Sequence, residues 1–440
     1  MKVFYLDPGL RFAEGHHPVH CRLIAGEFRA RGIATRVLAH RNIDPKLRAE
    51  LGAEPFFRHH IYEQSDGDPI CGWLSGFDFF TRMAFEDLTR IGGIAPADLV
   101  YLSTVQPIEL AALSAWMARH PSGAMPNAVA EFCLNPGVGI ETSGTARKIV
   151  MPDPRREPRP LLYHYAAMRM LPHILPRLRL AVFEPETGAL LRELLGRPVE
   201  LLPIMFEAVT GRADRTGKRP ITVGLLGHQQ RYKGYHLAPE IVRALLRERP
   251  ELRFLIHNAD PEGRHTLDPT GLVEAQAAFR ELSAQDRRVE VSEGPAGKDL
   301  WAQLLARTDA MLCPYAPGHY SATFSGVAVD AVANGIPVVG PAGTAIESLL
   351  KEFGGPGTLF EKHEPEAIAA ATIELVDAFD GFAAIAHEAA AVWPTRYGPR
   401  AMVDALLAMI NAAPAGARGP GAKATPRAAS ARGRPPSPRA

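Results

Sequence analysis

The sequence predicts an α/β protein in which each of two domains contains a parallel sheet. Its 440 residues exceed what one ordinary hydrophobic core organises, so the length favours two domains. Residues 2–38 and residues 310–339 each place an apolar strand, a loop, a helix and a second strand in that order. This order is typical of units whose two strands lie parallel in one sheet.

The N-terminal half begins with one of these units. Residues 2–7 predict a strand, 8–17 a glycine-containing loop, 18–31 a helix ended by Gly32, and 33–38 a strand. Further strands are predicted at 99–102, 128–133, 180–183 and 199–202, with a helix at 110–119. We assign residues 1–205 to an N-terminal domain.

The C-terminal half repeats the alternation. Strands are predicted at 221–226, 253–257, 289–292, 310–313 and 336–339, and helices at 237–249, 323–334, 364–379 and 390–410. The expected divisions are a polar linker at 206–220, a second domain at 221–388, a terminal helix at 389–411 and a tail at 412–440. The tail contains Ala, Pro, Gly, Ser and basic residues without an acidic residue, a composition that predicts a disordered basic segment.

Composition excludes several classes of protein. A net charge of +1 gives no strong field for nucleic acid, and 46% hydrophobic residues are typical of a globular chain. Four cysteines without paired spacing indicate reduced thiols rather than disulfides or a zinc site. The chain starts directly on a strand without the layout of a signal peptide, and no apolar run is long enough to cross a bilayer. We therefore expect a cytoplasmic protein.

Residues 304–341 carry a resemblance to a known family. They resemble the nucleotide-sugar motif of retaining glycosyltransferases of family 4, which have the GT-B fold. The residues in register with that motif are Phe324, Asp330, Ala331, Ala333, Gly335, Pro337, Val338 and Val339. A second block, residues 223–258, resembles the family's segment containing Lys-Gly, here Lys233 and Gly234. The resemblance implies two Rossmann-like domains facing a cleft, with the terminal helix crossing back onto the first domain.

The same resemblance implies a donor site. Lys233 aligns with a phosphate-binding Lys, and a cation there stabilises the charge that grows on the leaving diphosphate. His228 stands where the family has an Arg, and Arg231 is a candidate for the missing permanent charge. Asp330 replaces a Glu that accepts hydrogen bonds from the ribose diol. Backbone N–H groups at the start of the following helix suit an anion, and they belong to Phe324, Ser325 and Gly326.

Two further positions depart from the family, and the first loop lies outside its strongest motif. Ala322 stands where the family has a Glu that contacts the transferred sugar, so Ser321 and Thr323, or the neighbouring His319 and Tyr320, are candidate replacements. Cys133 stands where many members have a His. In the first loop, Gly15 permits close approach of backbone to ligand, and His16 and His17 are candidate proton or phosphate contacts. Our candidate catalytic residues are Lys233, His17 and His228; the donor-binding candidates are Gly15, His16, Arg231, Ser321, Thr323, Phe324, Ser325, Gly326 and Asp330.

Two further segments, residues 66–68 and residues 161–180, each have a functional and a structural interpretation. Asp66-Gly67-Asp68 has a metal-binding spacing, but a solvated turn explains it better, so we expect no metal. Residues 161–180 mix arginines with Leu, Met and Tyr, which suits either an acidic membrane surface or a segment packed on the protein; the two prolines favour the second.

The expected reaction moves a sugar from a nucleotide sugar to a hydroxyl acceptor, with retention of configuration and without cofactor or metal. The acceptor class is a glycan, a glycolipid or lipid-linked sugar, or a polysaccharide precursor of the cell envelope, with contact to the inner face of the membrane left open. The alternatives are a sugar-nucleotide epimerase with the same cleft and a catalytically silent module that binds a nucleotide or glycan. The departures at Ala322, His228 and Cys133 favour the silent module.

Overall fold

The computed structural model contains two α/β domains, each built on a fully parallel sheet. It describes residues 1–13, 15–62, 72–143, 146–206, 214–260 and 270–412. The candidate metal turn at 66–68, Cys71, residues 207–213 of the linker and the tail from residue 413 lie outside these residues. Within them, no helix combines the length and the apolar character that a membrane span requires.

The first domain has a seven-stranded sheet. Its strands in chain order are β1 (Val3–Asp7), β2 (Thr35–His40), β3 (Ala53–Phe57), β4 (Leu99–Leu102), β5 (Asn127–Phe132), β8 (Leu178–Val182) and β9 (Glu200–Leu201). They lie in the order β3-β2-β1-β4-β5-β8-β9, and every neighbouring pair is parallel. The interior strand β1 is buried along its whole length because helices cover both faces of the sheet. A separate antiparallel hairpin comprises β6 (Gly139–Ser143) and β7 (Ala146–Val150).

The helices of the first domain alternate with its strands and pack against the sheet to form the hydrophobic core. They are α1 (His16–Ala30), α2 (Pro45–Leu51), α3 (Gly72–Thr89), α4 (Pro107–Ala118), α5 (Arg159–Met168) and α6 (Pro185–Leu195). The predicted helix at 18–31 begins two residues earlier than expected. The strands β2 and β8 are shifted by two residues or fewer from their predicted positions. The sequence did not predict β3, α3 or the hairpin.

The second domain has a six-stranded parallel sheet in the order β12-β11-β10-β13-β14-β15. These strands are β10 (Thr222–Leu225), β11 (Arg253–Asn258), β12 (Val289–Glu293), β13 (Ala310–Leu312), β14 (Val338–Pro341) and β15 (Gly357–Phe360). The helices around it are α7 (Ala238–Glu248), α8 (Leu272–Gln285), α9 (Lys298–Ala306), α10 (Pro317–Tyr320), α11 (Gly326–Ala333), α12 (Ala345–Glu352) and α13 (Pro365–Asp377). Helix α11 begins three residues later than predicted, because residues 323–325 form the loop that caps it.

The terminal helix predicted at 389–411 is wrong in its continuity. The structure has two helices there, α14 (Phe379–Arg396) and α15 (Pro399–Asn411). The chain turns at Gly398, whose φ of 97° suits glycine, and Pro399 starts the new helix without needing an N–H partner. Helix α15 packs against α1 of the first domain, where Arg31 Nη1 donates to Asp404 Oδ1 at 2.6 Å.

A second contact joins the domains on the loop before α11. Ala322 is fully buried in a small apolar cluster with Val138 and Leu190 of the first domain. The Thr187 hydroxyl donates to the Ala322 carbonyl across the same contact. The loop that leads into α11 is therefore held against the first domain.

Candidate functional site

A cavity of about 450 Å³ lies between the two domains, at the carboxyl ends of their parallel strands. This is the edge at which open α/β sheets bind ligands. The first domain contributes the loops after β1 and β5, and the second contributes those after β10, β11, β12 and β13. The predicted site residues in the wall are Gly15, His16, His228, Lys233, Thr323, Phe324, Ser325, Gly326 and Asp330.

Lys233 is placed by a tight turn after β10. Residues Arg231–Lys233 form one turn of 3₁₀ helix, and Gly234 ends it with a φ of 71°. A Cβ at Gly234 would overlap the carbonyl oxygen of Pro314, so the backbone reaches this position only as glycine. The Lys233 Nζ lies 5.8 Å from the centre of the Tyr315 ring. The turn thus fixes an ammonium group in the cavity wall.

The environment of Lys233 is unusual for a lysine. Burial lowers the pKa of Lys233 to about 8 from its ordinary value of 10.5. Among the described residues, no carboxylate forms a salt bridge with it. A partly desolvated cation without a carboxylate favours an anionic ligand, because the ligand would supply the missing opposite charge.

The start of α11 faces the same cavity. Ser325 caps this helix, and its hydroxyl accepts a hydrogen bond from the Ala328 N–H at 3.2 Å. The first N–H groups of a helix have no partner within the helix, which makes this end a site for negative charge. The Phe324 ring lies 5.6 Å from the Phe206 ring and 6.4 Å from the Phe183 ring, centre to centre. These aromatic contacts with the linker end and the first domain hold the loop in place.

Asp330 lies one turn further along α11 and also lines the cavity. Its Oδ2 accepts a hydrogen bond from the indole N–H of Trp301 at 2.9 Å. Burial raises the pKa of Asp330 to about 7, and the Trp301 hydrogen bond opposes that shift. The carboxylate is therefore available to accept hydrogen bonds at and above neutral pH.

The first domain presents His16, rather than His17, to the cavity. His16 Nε2 lies 3.4 Å from both Tyr62 Oη and Thr104 Oγ1 and 4.0 Å from Cys133 Sγ. Burial, with a smaller effect of neighbouring histidines, holds the pKa of His16 well below its ordinary value. The imidazole is consequently neutral at physiological pH and can accept a hydrogen bond.

The prediction of His17 as a catalytic residue does not agree with its position. Its ring packs over Gly9, where any side chain would overlap it. Its Nδ1 lies 2.8 Å from Asp7 Oδ1, and its Nε2 lies 3.1 Å from Tyr62 Oη. Both ring nitrogens are engaged within the protein, so His17 supports the first loop and does not line the cavity.

Two predicted donor-binding residues also lie outside the cavity wall. Arg231 does not line it, and its Nη1 donates to the Thr270 carbonyl at 3.0 Å. The Ser321 hydroxyl donates to the Gly318 carbonyl at 3.2 Å within its own loop. The side of the cavity that these residues were expected to provide is lined instead by Tyr232 and His319, whose rings stack with centres 4.1 Å apart.

Sequence reasoning missed the residues that line the far end of the cavity. Trp301 and Lys298 come from α9, outside the two blocks that carried the resemblance to a family motif, and His257 lies near the end of β11, inside the second block but without an assigned role. The available signal was positional, since residues following a predicted parallel strand meet at one sheet edge. No group of three His, Cys, Asp or Glu side chains in the described part of the chain is arranged to hold a metal ion.

Two facing parallel-sheet domains with a cleft at their carboxyl edges define the GT-B fold. Residues 217–378 match the family described as glycosyl transferases group 1, a match that covers the second domain and less than half of the chain. No curated protein matches the sequence.

Solved structures agree with the fold along nearly the whole chain. HepE from Anabaena in complex with UDP-glucose is 15% identical with a TM-score of 0.58, over 93% of this chain and 99% of that one. WaaG, a glycosyltransferase involved in lipopolysaccharide biosynthesis, is 13% identical with a TM-score of 0.55, over 93% and 100%. A putative UDP-N-acetylglucosamine 2-epimerase from Listeria monocytogenes is 13% identical with a TM-score of 0.53, over 93% and 95%. At these identities the likeness establishes the fold.

Proposed function

We propose that this protein is a glycosyltransferase that moves a sugar from a nucleotide-sugar donor to a hydroxyl acceptor. The observation that carries the proposal is Lys233, a cavity-lining cation without a carboxylate partner among the described residues. The start of α11 and the Asp330 carboxylate line the same cavity. A cation and a helix N-terminus suit a diphosphate, and a carboxylate suits a ribose diol.

The group 1 match and the nucleotide-bound neighbour support this proposal. The match covers the domain that contains Lys233 and Asp330, and HepE was solved with UDP and with UDP-glucose. As the glycosidic bond breaks, negative charge grows on the leaving diphosphate. Lys233 and the N–H groups of α11 would stabilise that charge, so the proposed reaction uses no metal or other cofactor.

We further propose that the reaction retains the anomeric configuration and that the leaving phosphate helps to deprotonate the acceptor. Retention rests on the resemblance of residues 304–341 to family 4. His16 and His228 would then contribute hydrogen bonds at the cleft rather than act as a covalent nucleophile. Determination of the product's anomeric configuration by NMR tests this step; an inverted product contradicts it.

We place the acceptor among glycans, lipid-linked sugars and precursors of cell-envelope polysaccharide, and the enzyme in the cytoplasm at the inner face of the membrane. The supporting observation is exposed apolar surface at the end of α5 and after it, at Tyr165, Met168 and Leu171. Residues 158–183 contain four Arg and no acidic residue. Sedimentation with anionic phospholipid vesicles, compared with neutral vesicles and with Met168→Glu, tests the contact.

Two alternatives remain distinct from this proposal. The likeness to the epimerase of the same fold favours a sugar-nucleotide epimerase, which would release a sugar nucleotide of altered configuration without an acceptor. A silent binding module would bind a nucleotide or glycan without turnover. Product analysis of a donor incubated with and without acceptor separates all three.

The first experiment is a thermal-shift screen with UDP, GDP, ADP and TDP and their common sugar conjugates. Lys233→Ala is compared with Arg231→Ala, because the two cations lie on one turn and only Lys233 lines the cavity. We expect one base to raise the Tm of the wild type and of Arg231→Ala but not of Lys233→Ala. Equal loss in both variants would contradict the assignment of Lys233, and no shift with any nucleotide would contradict the proposed function.

A further inference from the structure

Trp301 is a cavity-lining residue that no motif assigned. It lies in the first turn of α9, and its indole N–H donates to Asp330 Oδ2 at 2.9 Å. Among the described residues, no other hydrogen bond reaches the Asp330 side chain. The pair joins two helices of the second domain at the wall of the cavity.

The position of Trp301 is fixed on both sides. Its backbone N–H donates to the Gly297 carbonyl at 2.9 Å, which anchors it in the helix. Its ring meets the His257 ring edge-on, with centres 6.3 Å apart. An indole held in this way offers its N–H in one direction, so it can orient a carboxylate rather than follow it.

The two helices are also held together at their far ends. The buried guanidinium of Arg215 donates to the Thr308 carbonyl after α9 and to the Asn334 carbonyl after α11, at 3.0 and 2.9 Å. The separation of α9 and α11 is therefore set by contacts outside the cavity. The Trp301–Asp330 hydrogen bond is one part of a rigid frame, as a preorganised binding group requires.

We propose that Trp301 is a positioning residue, which holds the Asp330 carboxylate so that its other oxygen meets the ribose hydroxyls of a bound nucleotide. The inference rests on the proposed function, because it requires a ribose in this cavity. The indole satisfies Oδ2 without adding charge, and it leaves Oδ1 for the ligand. It also favours the ionised carboxylate, which accepts hydrogen bonds from hydroxyl groups more strongly than the neutral acid does.

A purely structural role for Trp301 makes a different prediction. If the indole only ties α9 to α11, its removal weakens every nucleotide equally, whether or not the ribose has hydroxyls. If it positions Asp330, its removal weakens only ligands that carry those hydroxyls. A thermodynamic cycle between the protein change and the ligand change therefore separates the two roles.

The test uses Trp301→Phe, which keeps an aromatic ring and removes the N–H, with Asp330→Asn as the reference. Calorimetry measures the affinity for UDP, or for GDP or ADP if the screen selects it, and for the matching 2′,3′-dideoxy nucleotide. We expect the wild type to prefer the ribonucleotide by roughly 10- to 100-fold, the range for hydrogen bonds to a charged group. Trp301→Phe should reduce that ratio about fivefold or more while it leaves the dideoxy affinity unchanged.

A pH series gives a second readout. Loss of the indole N–H should raise the pKa of Asp330, so the ribonucleotide preference of Trp301→Phe should disappear at a higher pH than that of the wild type. A wild-type ratio in Trp301→Phe, or an equal loss for both nucleotides, would overturn the inference and leave the proposed function standing. A wild type that binds neither nucleotide would overturn both, and one that binds both equally would remove the ribose role of Asp330 and with it the inference.

Discussion

Nucleotide binding at Lys233 should be coupled to proton uptake. Burial lowers the pKa of this lysine to about 8 in the free protein. A bound diphosphate places negative charge beside the ammonium group and favours its charged form. Because the ligand prefers protonated Lys233, affinity should be nearly constant well below pH 8 and should fall as the pH rises through 8.

The size of this effect follows from the pKa shift. If the diphosphate restores the ordinary value of 10.5, the shift on binding is about 2.5 pH units, which corresponds to about 3.4 kcal/mol. The largest total loss of affinity, from well below pH 8 to well above pH 10.5, is therefore roughly 300-fold, of which about fivefold falls between pH 8 and pH 9. If binding raises the pKa of Lys233 only part of the way to its ordinary value, the total loss of affinity is smaller, but its slope near pH 8.5 is nearly unchanged.

Asp330 sets the opposite limit. Its pKa of about 7 means that acidification protonates the carboxylate and weakens its hydrogen bonds to a ribose. Affinity should therefore fall as the pH drops below 7. The two groups together predict strongest nucleotide binding between about pH 7 and pH 8. Asp330 accounts for the loss at lower pH, and Lys233 accounts for the loss at higher pH.

Calorimetry in buffers with different ionisation enthalpies checks this directly. The apparent binding enthalpy should vary with the buffer at pH 9 and report the uptake of close to one proton, and Lys233→Ala should abolish that variation. Arg231→Ala is the control, since Arg231 lies outside the cavity. An alkaline loss of affinity that persists in Lys233→Ala, or its absence in the wild type, would refute the reasoning.

Three further changes test the surrounding structure. Gly234→Ala should lower the free energy of unfolding by more than about 2 kcal/mol and abolish the Tm shift with nucleotide, because its Cβ overlaps Pro314. The control is Gly343→Ala, which has a similar φ and open space and should cost about 1 kcal/mol. Arg215→Met should cost roughly 3 kcal/mol in urea unfolding, since it leaves buried helix-terminal carbonyls without their donors; a change below 1 kcal/mol would contradict this. Ala322→Glu should lower the Tm without a gain in sugar-nucleotide affinity, because it buries a carboxylate among apolar side chains; higher affinity would contradict the placement.

Much of the site followed from local sequence. The turn containing Lys233 and Gly234 and the position of Asp330 on a helix each depend on neighbours within a few residues. Such features are encoded by short patterns of glycine, capping residues and apolar spacing. The cap at Ser325 was missed, because this helix was expected to begin near residue 323. The parallel order of strands also followed, because alternation of strands and helices leaves few topologies.

Local sequence did not predict which of two adjacent side chains faces the cavity. Successive residues on a helix point about 100° apart, so the start of α1 decides which histidine faces the cavity. The predicted start at residue 18 left His16 and His17 equivalent in a loop. The observed start at His16 turns one toward the cavity and the other toward Asp7. Trp301 was missed for a related reason: its partner lies 29 residues away, and only the packed domain brings them together.

The break between α14 and α15 has a local sequence signal that the prediction did not use. Gly398 and Pro399 form a pair that ends one helix and begins another, yet the apolar spacing on both sides favoured a single helix. The break matters, because it lets α15 turn onto α1 while Trp393 at the end of α14 donates to the Phe206 carbonyl at 2.7 Å. The connection between domains is thereby pinned at the edge of the cleft.

The alanine at position 322 changes meaning once its surroundings are known. From the sequence alone, Ala322 favoured a catalytically silent module, because the family's sugar-contacting Glu is absent at this position. In the structure it is fully buried between Val138 and Leu190, and its carbonyl accepts from Thr187 of the first domain. A Glu there would have to displace this contact or bury an unpaired charge. The small residue is therefore explained by the contact between domains, and under the proposed function we expect the sugar contacts from cavity-lining side chains such as His319.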